Sequence, residues 1–351
     1  MTKNSSRNRE PFGTLVRPGL GRFALAALVY FAFAVYLYRP YFQNFQTVHY
    51  LRVVNTSLAS LGCYLLSRRW VAGFIPSLFA GAIYGFGPLA LGFATKSHAA
   101  AGVLVAAIPW LFCPAAFARK TRWRRLGIPL SILPAVAIVV FFQASLRFHF
   151  FPVPIQLKLH SGDLIGLLTP LIAARRKMTL VGFYHVPTGA IVMGLAMLVM
   201  ARRYAVMAIF AVAAILAFAD SAFGVSPIVW LLVAVLCCSI LAGAGMQGLI
   251  CAGFGDKKWI LFTAAVSAAL AIAALLLATE CFQVFLALGH GYGKLLTEAA
   301  TMYVLGAITL LILFFIVRAK LRLSLLRQLL LCGAMALDIF LGATFIIDEI
   351  L

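Results

Sequence analysis

Acidic residues, and charged residues in general, are scarce in this chain. Nine Asp and Glu stand against 29 Lys and Arg, and charged residues make up 11% of the 351 residues. A soluble domain carries about 25% charged residues. Because 64% of the chain is hydrophobic, a water-soluble core could not bury it. The composition therefore predicts an all-α polytopic membrane protein.

The motifs of common soluble enzymes are also missing. The sequence contains no P-loop, no GxSxG and no HExxH motif. Its seven cysteines form no CxxC pair and no Cys/His zinc spacing, which indicates small buried residues rather than a disulfide framework. The formal charge of +20 coincides with no nucleic-acid-binding motif. We expect no nucleic-acid partner and attribute the basic residues to membrane topology.

Apolar segments long enough to cross a bilayer, about 20 residues each, recur along the whole chain. They predict eleven spans, at 20–38, 50–66, 71–94, 98–118, 126–144, 183–201, 204–220, 227–252, 259–279, 297–317 and 328–347. We divide the chain into a basic cytoplasmic segment (1–19), an N-terminal transmembrane bundle (20–144), an outer loop (145–182) and a C-terminal transmembrane bundle (183–351). Within the loop, the apolar segment 164–174 is too short to cross, so we expect it to be re-entrant or interfacial.

The distribution of basic residues predicts the orientation. With the N-terminus in the cytoplasm, 20 of the 29 Lys and Arg fall on the inner side. Cytoplasmic loops carry such an excess, so we expect the N-terminus inside and the C-terminus outside. The basic, partly apolar stretch Arg318–Arg327 then lies just inside the membrane, where it suits anionic lipid headgroups.

Residues 58–110 contain LGCYLLSRR at 61–69, AGAIYGFGP at 80–88, His98, and IPW at 108–110. In this order, the features resemble the GT-C superfamily of membrane glycosyltransferases, and in particular its YfhO-like branch. A second similarity covers 182–248, from Gly182-Phe183-Tyr184 through an Arg-Arg turn to ILAGAGM at 240–246. The resemblance implies a GT-C-like scaffold in a bacterial inner (plasma) membrane. It also implies sugar transfer from a polyprenyl-phosphate donor at the outer face.

The acid that serves such enzymes in their first outer loop is absent here. Residues 39–49 contain no Asp or Glu, so the protein is either catalytically degenerate or takes its acid from elsewhere. The candidates for a base are Asp163, Asp220 and Glu280. With the predicted topology, the candidate substrate-binding residues also lie at the outer side: His49, Lys96, His98, His185 and His290. An active enzyme could further require a divalent metal, although the sequence indicates no metal ligands.

Asp338 lies near the middle of the last predicted span. A carboxylate inside a membrane is costly unless it is neutral or paired, and it marks a functional hypothesis by default. Three interpretations remain open at this point: a protonated Asp bonded to a neighbouring helix, a contact that fixes two helices, and ion coupling. Accordingly, two alternatives stand beside the transferase, namely a non-enzymatic membrane subunit or scaffold of a larger complex, and a small-solute transporter.

Overall fold

Each predicted span corresponds to a helix, or to two consecutive helices. The structure is a computed structural model that describes residues 19–44, 47–70, 73–96, 99–118, 127–149, 159, 161–175, 180–200, 204–219, 222–279, 291–319 and 324–351. Its α-helices in chain order are α1 (Leu20–Tyr38), α2 (Thr47–Trp70), α3 (Phe74–Gly85), α4 (Pro88–Lys96), α5 (Ala99–Ala118), α6 (Gly127–Phe148), α7 (Pro170–Arg175), α8 (His185–Met200), α9 (Tyr204–Phe218), α10 (Pro227–Cys251), α11 (Lys257–Ala278), α12 (Tyr292–Arg318) and α13 (Ser324–Ile350).

Most of these helices are apolar enough to lie in a membrane. Six helical segments are long and apolar enough to cross it: Leu20–Phe42, Phe74–Phe93, Pro227–Cys251, Lys257–Ala278, Tyr292–Arg318 and Leu325–Ile350. Four shorter apolar helices accompany them, at Ala101–Phe117, Ile132–Phe148, His185–Met197 and Val206–Phe218. The chain is therefore a multi-pass membrane protein by helix length and hydropathy, as the composition predicted.

Of the eleven predicted spans, the one that falls on α2 is not among these apolar segments. This helix carries polar residues along its length, including Asn55, Thr56 and Ser60, all of which are buried. It packs against α1, α3 and α5, so protein surrounds its polar positions. Its length is sufficient for a span, about 36 Å at 1.5 Å per residue.

Helix α10 forms the centre of the bundle. Every residue in its most apolar 18-residue stretch is buried, and the helix packs against α3, α8 and α9. A helix that is hydrophobic on all sides is expected to be surrounded by other helices. This central position explains why the 227–252 segment shows no polar face in the sequence.

Two glycine-rich seams bring helices into close contact. A Cβ added at Gly85 in α3 would collide with Ser60 and with the Thr56 carbonyl of α2. A Cβ at Gly245 in α10 would collide with the backbone carbonyl of Ala190 in α8. Small residues allow helix backbones to approach in this way, so both glycines mark places where two helices pack closely.

Contacts between helix ends agree with the predicted alternation of the spans. At ends predicted to be outer, Tyr41 Oη donates to Asp348 Oδ1 at 2.7 Å, and Gln143 Nε2 donates to the Phe223 carbonyl at 2.8 Å. At ends predicted to be inner, Arg327 Nη1 donates to the Ala252 carbonyl at 2.8 Å. Ends that the topology assigns to the same side therefore lie together.

Residues 161–175 and 180–184 enter the bundle, and neither stretch crosses it as one helix. Ser161–Leu167 form a 3₁₀ helix and α7 follows, after which 180–184 run without helical structure into the start of α8. We call 161–175 together with 180–184 the entering segment. Gly166 and Gly182 lie close together. A Cβ added at Gly166 would collide with the Val181 carbonyl, and a Cβ added at Gly182 would collide with the Gly166 carbonyl. Within 164–174 the helical structure breaks at 168–169, and the re-entrant or interfacial placement of this segment stays a prediction.

Candidate functional site

A histidine and an aspartate form a buried pair between α8 and α13. His185 Nδ1 lies 3.1 Å from Asp338 Oδ1, and the backbone N–H of Val186 donates to Asp338 Oδ2 at 2.7 Å. The two side chains are 5% and 2% exposed. Asp338 lies about 18 Å from the C-terminal end of α13 and about 21 Å from its start, at 1.5 Å per residue. The pair is therefore deep within the apolar bundle.

The local sequence around His185 places the start of a helix at this depth. The first N–H groups of a helix have no partner within the helix. Pro187 removes one of these donors, and Thr188 bonds back to the Tyr184 carbonyl through its backbone N–H and its hydroxyl. Asp338 accepts the N–H of Val186. Its carboxylate thus satisfies the helix start from another helix, where the helix dipole favours negative charge.

The entering segment closes the site toward the predicted outer side. Tyr303 lies edge-on to the His185 ring, with centroids 4.7 Å apart, and its hydroxyl donates to the Leu167 carbonyl at 3.2 Å. Tyr184 donates to the Phe86 carbonyl at 2.7 Å. Phe86 lies at the break between α3 and α4. The pair therefore sits where three stretches of interrupted backbone meet: the α3–α4 break, the entering segment and the start of α8.

One imidazole nitrogen of the pair has no protein partner. His185 Nε2 is buried and has no hydrogen-bond partner among the described residues. If Nδ1–H donates to an ionised Asp338, then Nε2 carries the lone pair and is the atom that can accept a proton. With that proton the pair is neutral overall, and without it the pair carries one net negative charge, which lies against the Val186 N–H at the start of α8. A histidine and a carboxylate in this geometry form a pair that is chemically able to bind and release one proton.

A narrow cleft borders the pair on the opposite side from the entering segment. It has a volume of about 10 Å³, and its lining includes Val186, Gly306 and Met335, with the hydroxyl residues Ser267 and Thr309 farther along. Such a volume is close to the minimum that holds one water molecule. The cleft is otherwise apolar. Neither His185 nor Asp338 lines the cleft, although their neighbours Val186 and Met335 do.

Of the residues predicted from sequence, the structure brings together Asp338 and His185. The sequence placed His185 at an outer helix end as a candidate substrate-binding residue and left open what Asp338 contacts. The structure instead pairs the two residues deep in the bundle, because α8 starts below the entering segment. The signal available in the sequence was weak: a histidine immediately before Val-Pro-Thr, at the beginning of an apolar run.

The other candidates form no common site within the described part of the chain. Asp163 is buried in the 3₁₀ helix and makes an interaction of its own. Asp220, Glu280, His98 and His290 lie outside the described residues, and so do the side chains of His49 and Lys96. No group of three or more metal-ligating side chains occurs among the residues that were described. A search of protein families, curated proteins and solved structures found no match to this chain.

Replacing Tyr184 by Phe tests the contact between the entering segment and the helix break. We expect a loss of about 1 kcal/mol in stability, because the Phe86 carbonyl loses its buried donor and hydrogen bonds between membrane helices contribute roughly this much. Thermal unfolding in detergent measures the change. Tyr36→Phe is the control, since Tyr36 is 58% exposed on α1. Equal melting temperatures for both variants would show that this hydrogen bond does not hold the segment in place.

Proposed function

We propose that this protein is a proton-coupled transporter of a small solute. The observation that carries the proposal is the His185–Asp338 pair, which is buried at mid-depth among interrupted helices. Ionisable residues inside membrane bundles mark proton relays and substrate paths. Transporters commonly place their binding sites near the bilayer midplane, where helices are discontinuous and helix N-termini point at anionic groups. The start of α8 has this relation to Asp338.

The coupling follows from the charge of the pair. In the closed state the pair is stable when it carries its extra proton, because it is then neutral overall. Opening the site to water lowers the cost of releasing that proton, since water stabilises the charged form. Movement between closed and open states is thereby linked to protonation. Only a protonated site closes readily, and the solute moves with the proton.

The lining of the cleft favours a small solute without net charge. Apart from Ser267 and Thr309, the cleft is apolar. Hydroxyl groups can orient a polar solute, but they cannot compensate a buried charge. The cleft itself, at about 10 Å³, is too small for a solute, so we infer only that a solute which enters when the helices separate carries no net charge.

Proteoliposomes that contain the purified protein test this function. A pH gradient is imposed, and a panel of small neutral solutes is added in radiolabelled form. We expect at least one solute to accumulate against its concentration gradient, and we expect a protonophore to abolish the accumulation. Accumulation that persists after the pH gradient has been collapsed would contradict proton coupling.

The second candidate function is glycosyl transfer on a GT-C-like scaffold. The two stretches that resemble this superfamily fall on α2–α5 and on α8–α10. They pack into one unit, because α2 contacts α5 and α10 contacts α3, and this packing favours a shared scaffold. In this case Asp163, buried in the entering segment, is the candidate base at the outer face, with a polyprenyl-phosphate sugar as donor.

Transfer and transport can be separated by one substitution. If the protein is a transferase, Asp163→Asn abolishes release of polyprenyl phosphate from a lipid-linked sugar. If it is a transporter, the protein shows no such release and Asp163→Asn retains gradient-driven uptake. A protein that shows neither activity would match the third alternative, a subunit or scaffold of a larger membrane complex.

A further inference from the structure

A second cavity lies far from the His185–Asp338 pair, at the predicted inner ends of four helices. It has a volume of about 300 Å³ and lies between the ends of α1, α3, α10 and α13. Its polar lining is Arg22, Gln247 and Gln328, and its apolar lining includes Phe74, Ile75 and Ile250. The volume lies at the lower end of the range for small-molecule sites in proteins, about 300–1,000 Å³.

The charge of this cavity is positive. Arg22 is exposed at the start of α1, and no acid is among the described residues that line the cavity. The described helix ends on this side carry one acid, Asp256, and six further basic residues. The basic residues are Arg68, Arg69, Lys257, Lys258, Arg318 and Arg327. Asp256 Oδ2 accepts the backbone N–H of Gly253. An anionic group is therefore the ligand that this surface attracts.

The polar groups of the cavity suit an oxyanion. Arg22 can donate two parallel hydrogen bonds to phosphate, and the Gln328 amide supplies further donors. Gln247 is already engaged, because its Oε1 accepts the Gly73 N–H at 3.0 Å and its Nε2 contacts Cys251 Sγ. Gln247 thereby holds the start of α3 against α10, and it gives the cavity a fixed wall.

The apolar groups of the cavity identify the kind of anion. Phe74, Ile75 and Ile250 are partly exposed and lie beside the polar groups. A free phosphate would leave them in contact with water, whereas a phospholipid covers them with its acyl chain, and burial of that apolar surface favours binding. Anionic lipids are concentrated in the cytoplasmic leaflet, where the predicted orientation places these helix ends.

We propose that this inner cavity binds the headgroup of one anionic phospholipid, with its phosphate on Arg22. The lipid joins the ends of α1, α3, α10 and α13 at the cytoplasmic surface. The site is distinct from the basic stretch Arg318–Arg327, none of whose residues lines this cavity.

Native mass spectrometry of the delipidated full-length protein tests the site. The protein is titrated with phosphatidylglycerol, and with phosphatidylcholine as the zwitterionic comparison. We expect one phosphatidylglycerol to bind at least tenfold more tightly than phosphatidylcholine. We expect Arg22→Gln to weaken that binding by about tenfold or more, since hydrogen bonds to charged groups contribute about 1.5–3 kcal/mol. Lys258→Gln is the matched control, because Lys258 is an exposed cation on the same side outside the cavity.

A second variant separates the contribution of the cavity's volume to lipid binding from that of its charge. Ile75→Trp fills the cavity and keeps Arg22, so we expect it to lose the tight phosphatidylglycerol as well. Equal binding of the two lipids, or unchanged binding in Arg22→Gln, would overturn the proposal. Displacement of phosphatidylglycerol by inorganic phosphate at similar concentration would show that the cavity takes a soluble anion, and the lipid assignment would then be wrong.

Discussion

The Asp338→Asn variant is expected to fold normally and to lose gradient-driven accumulation of its solute completely. Asn has nearly the same shape as Asp. Its carbonyl oxygen can accept the Val186 N–H, and its amide can donate to His185 Nδ1 when the other ring nitrogen carries the proton. Both hydrogen bonds of the pair are thus retained, but the site no longer needs a proton to become neutral. Uptake by proteoliposomes under an imposed pH gradient measures the effect.

The same variant should still allow the solute to equilibrate. A permanently neutral site closes without a proton, so the solute can cross down its own gradient but is not concentrated. Asp348→Asn is the control on the same helix, because Asp348 is exposed near the C-terminal end of α13 and bonds to Tyr41. Unchanged accumulation in Asp338→Asn would refute a coupling role and would leave Asp338 as a cap for α8.

Removing the side chain at this position has a different expected outcome. Asp338→Ala leaves the Val186 N–H and the His185 ring buried without their partner. Loss of one partner of a buried pair costs about 3–5 kcal/mol. The Asn and Ala variants together therefore separate the chemical role of the carboxylate from its structural role, because only the first preserves the hydrogen bonds.

The Gly245→Leu variant is expected to prevent α8 and α10 from packing, with a loss of about 3 kcal/mol or more, the upper end of the cost of overpacking. The added Cβ would meet the backbone carbonyl of Ala190 and the nitrogen of Gly194, and backbone cannot move aside as a side chain can. Because α10 is the buried centre of the bundle, separation at this seam affects every helix around it. The yield of monodisperse protein in detergent and its melting temperature measure the effect.

Gly333→Leu is the matched control for this substitution. A Cβ at Gly333 in α13 has nothing within 4 Å, and the residue is exposed on the apolar surface. We expect the yield and melting temperature to stay at or above those of the unchanged protein, because Leu has a higher helix propensity than Gly. Equal damage from the two substitutions would contradict the close packing of α8 on α10.

The sequence predicted the helices well because the relevant signals are local. An apolar run of about 20 residues is visible without knowledge of its neighbours, and the glycines at 81–85 and 243–248 indicated close packing for the same reason. The basic turns also predicted which helix ends share a side, as the contact between Arg327 and Ala252 illustrates.

The pairing of His185 with Asp338 could not be predicted in the same way. The two residues are 153 positions apart, and uniformly apolar membrane helices give no periodic face that fixes which helices meet or at what depth. Sequence hydropathy placed the start of the 183–201 span at the membrane surface. The depth of His185 depends instead on the entering segment, whose backbone reaches inward through the Gly166–Gly182 contact.

The most direct test of the account is the number of protons that cross with each solute molecule. Proteoliposomes with an entrapped pH dye and a radiolabelled solute give both fluxes in one experiment. We predict a ratio of one proton per solute for the unchanged protein, because the His185–Asp338 pair is able to bind and release one proton, and a ratio of zero for Asp338→Asn during equilibration. Solute flux without protons in the unchanged protein, or the same ratio in both proteins, would contradict the central claim.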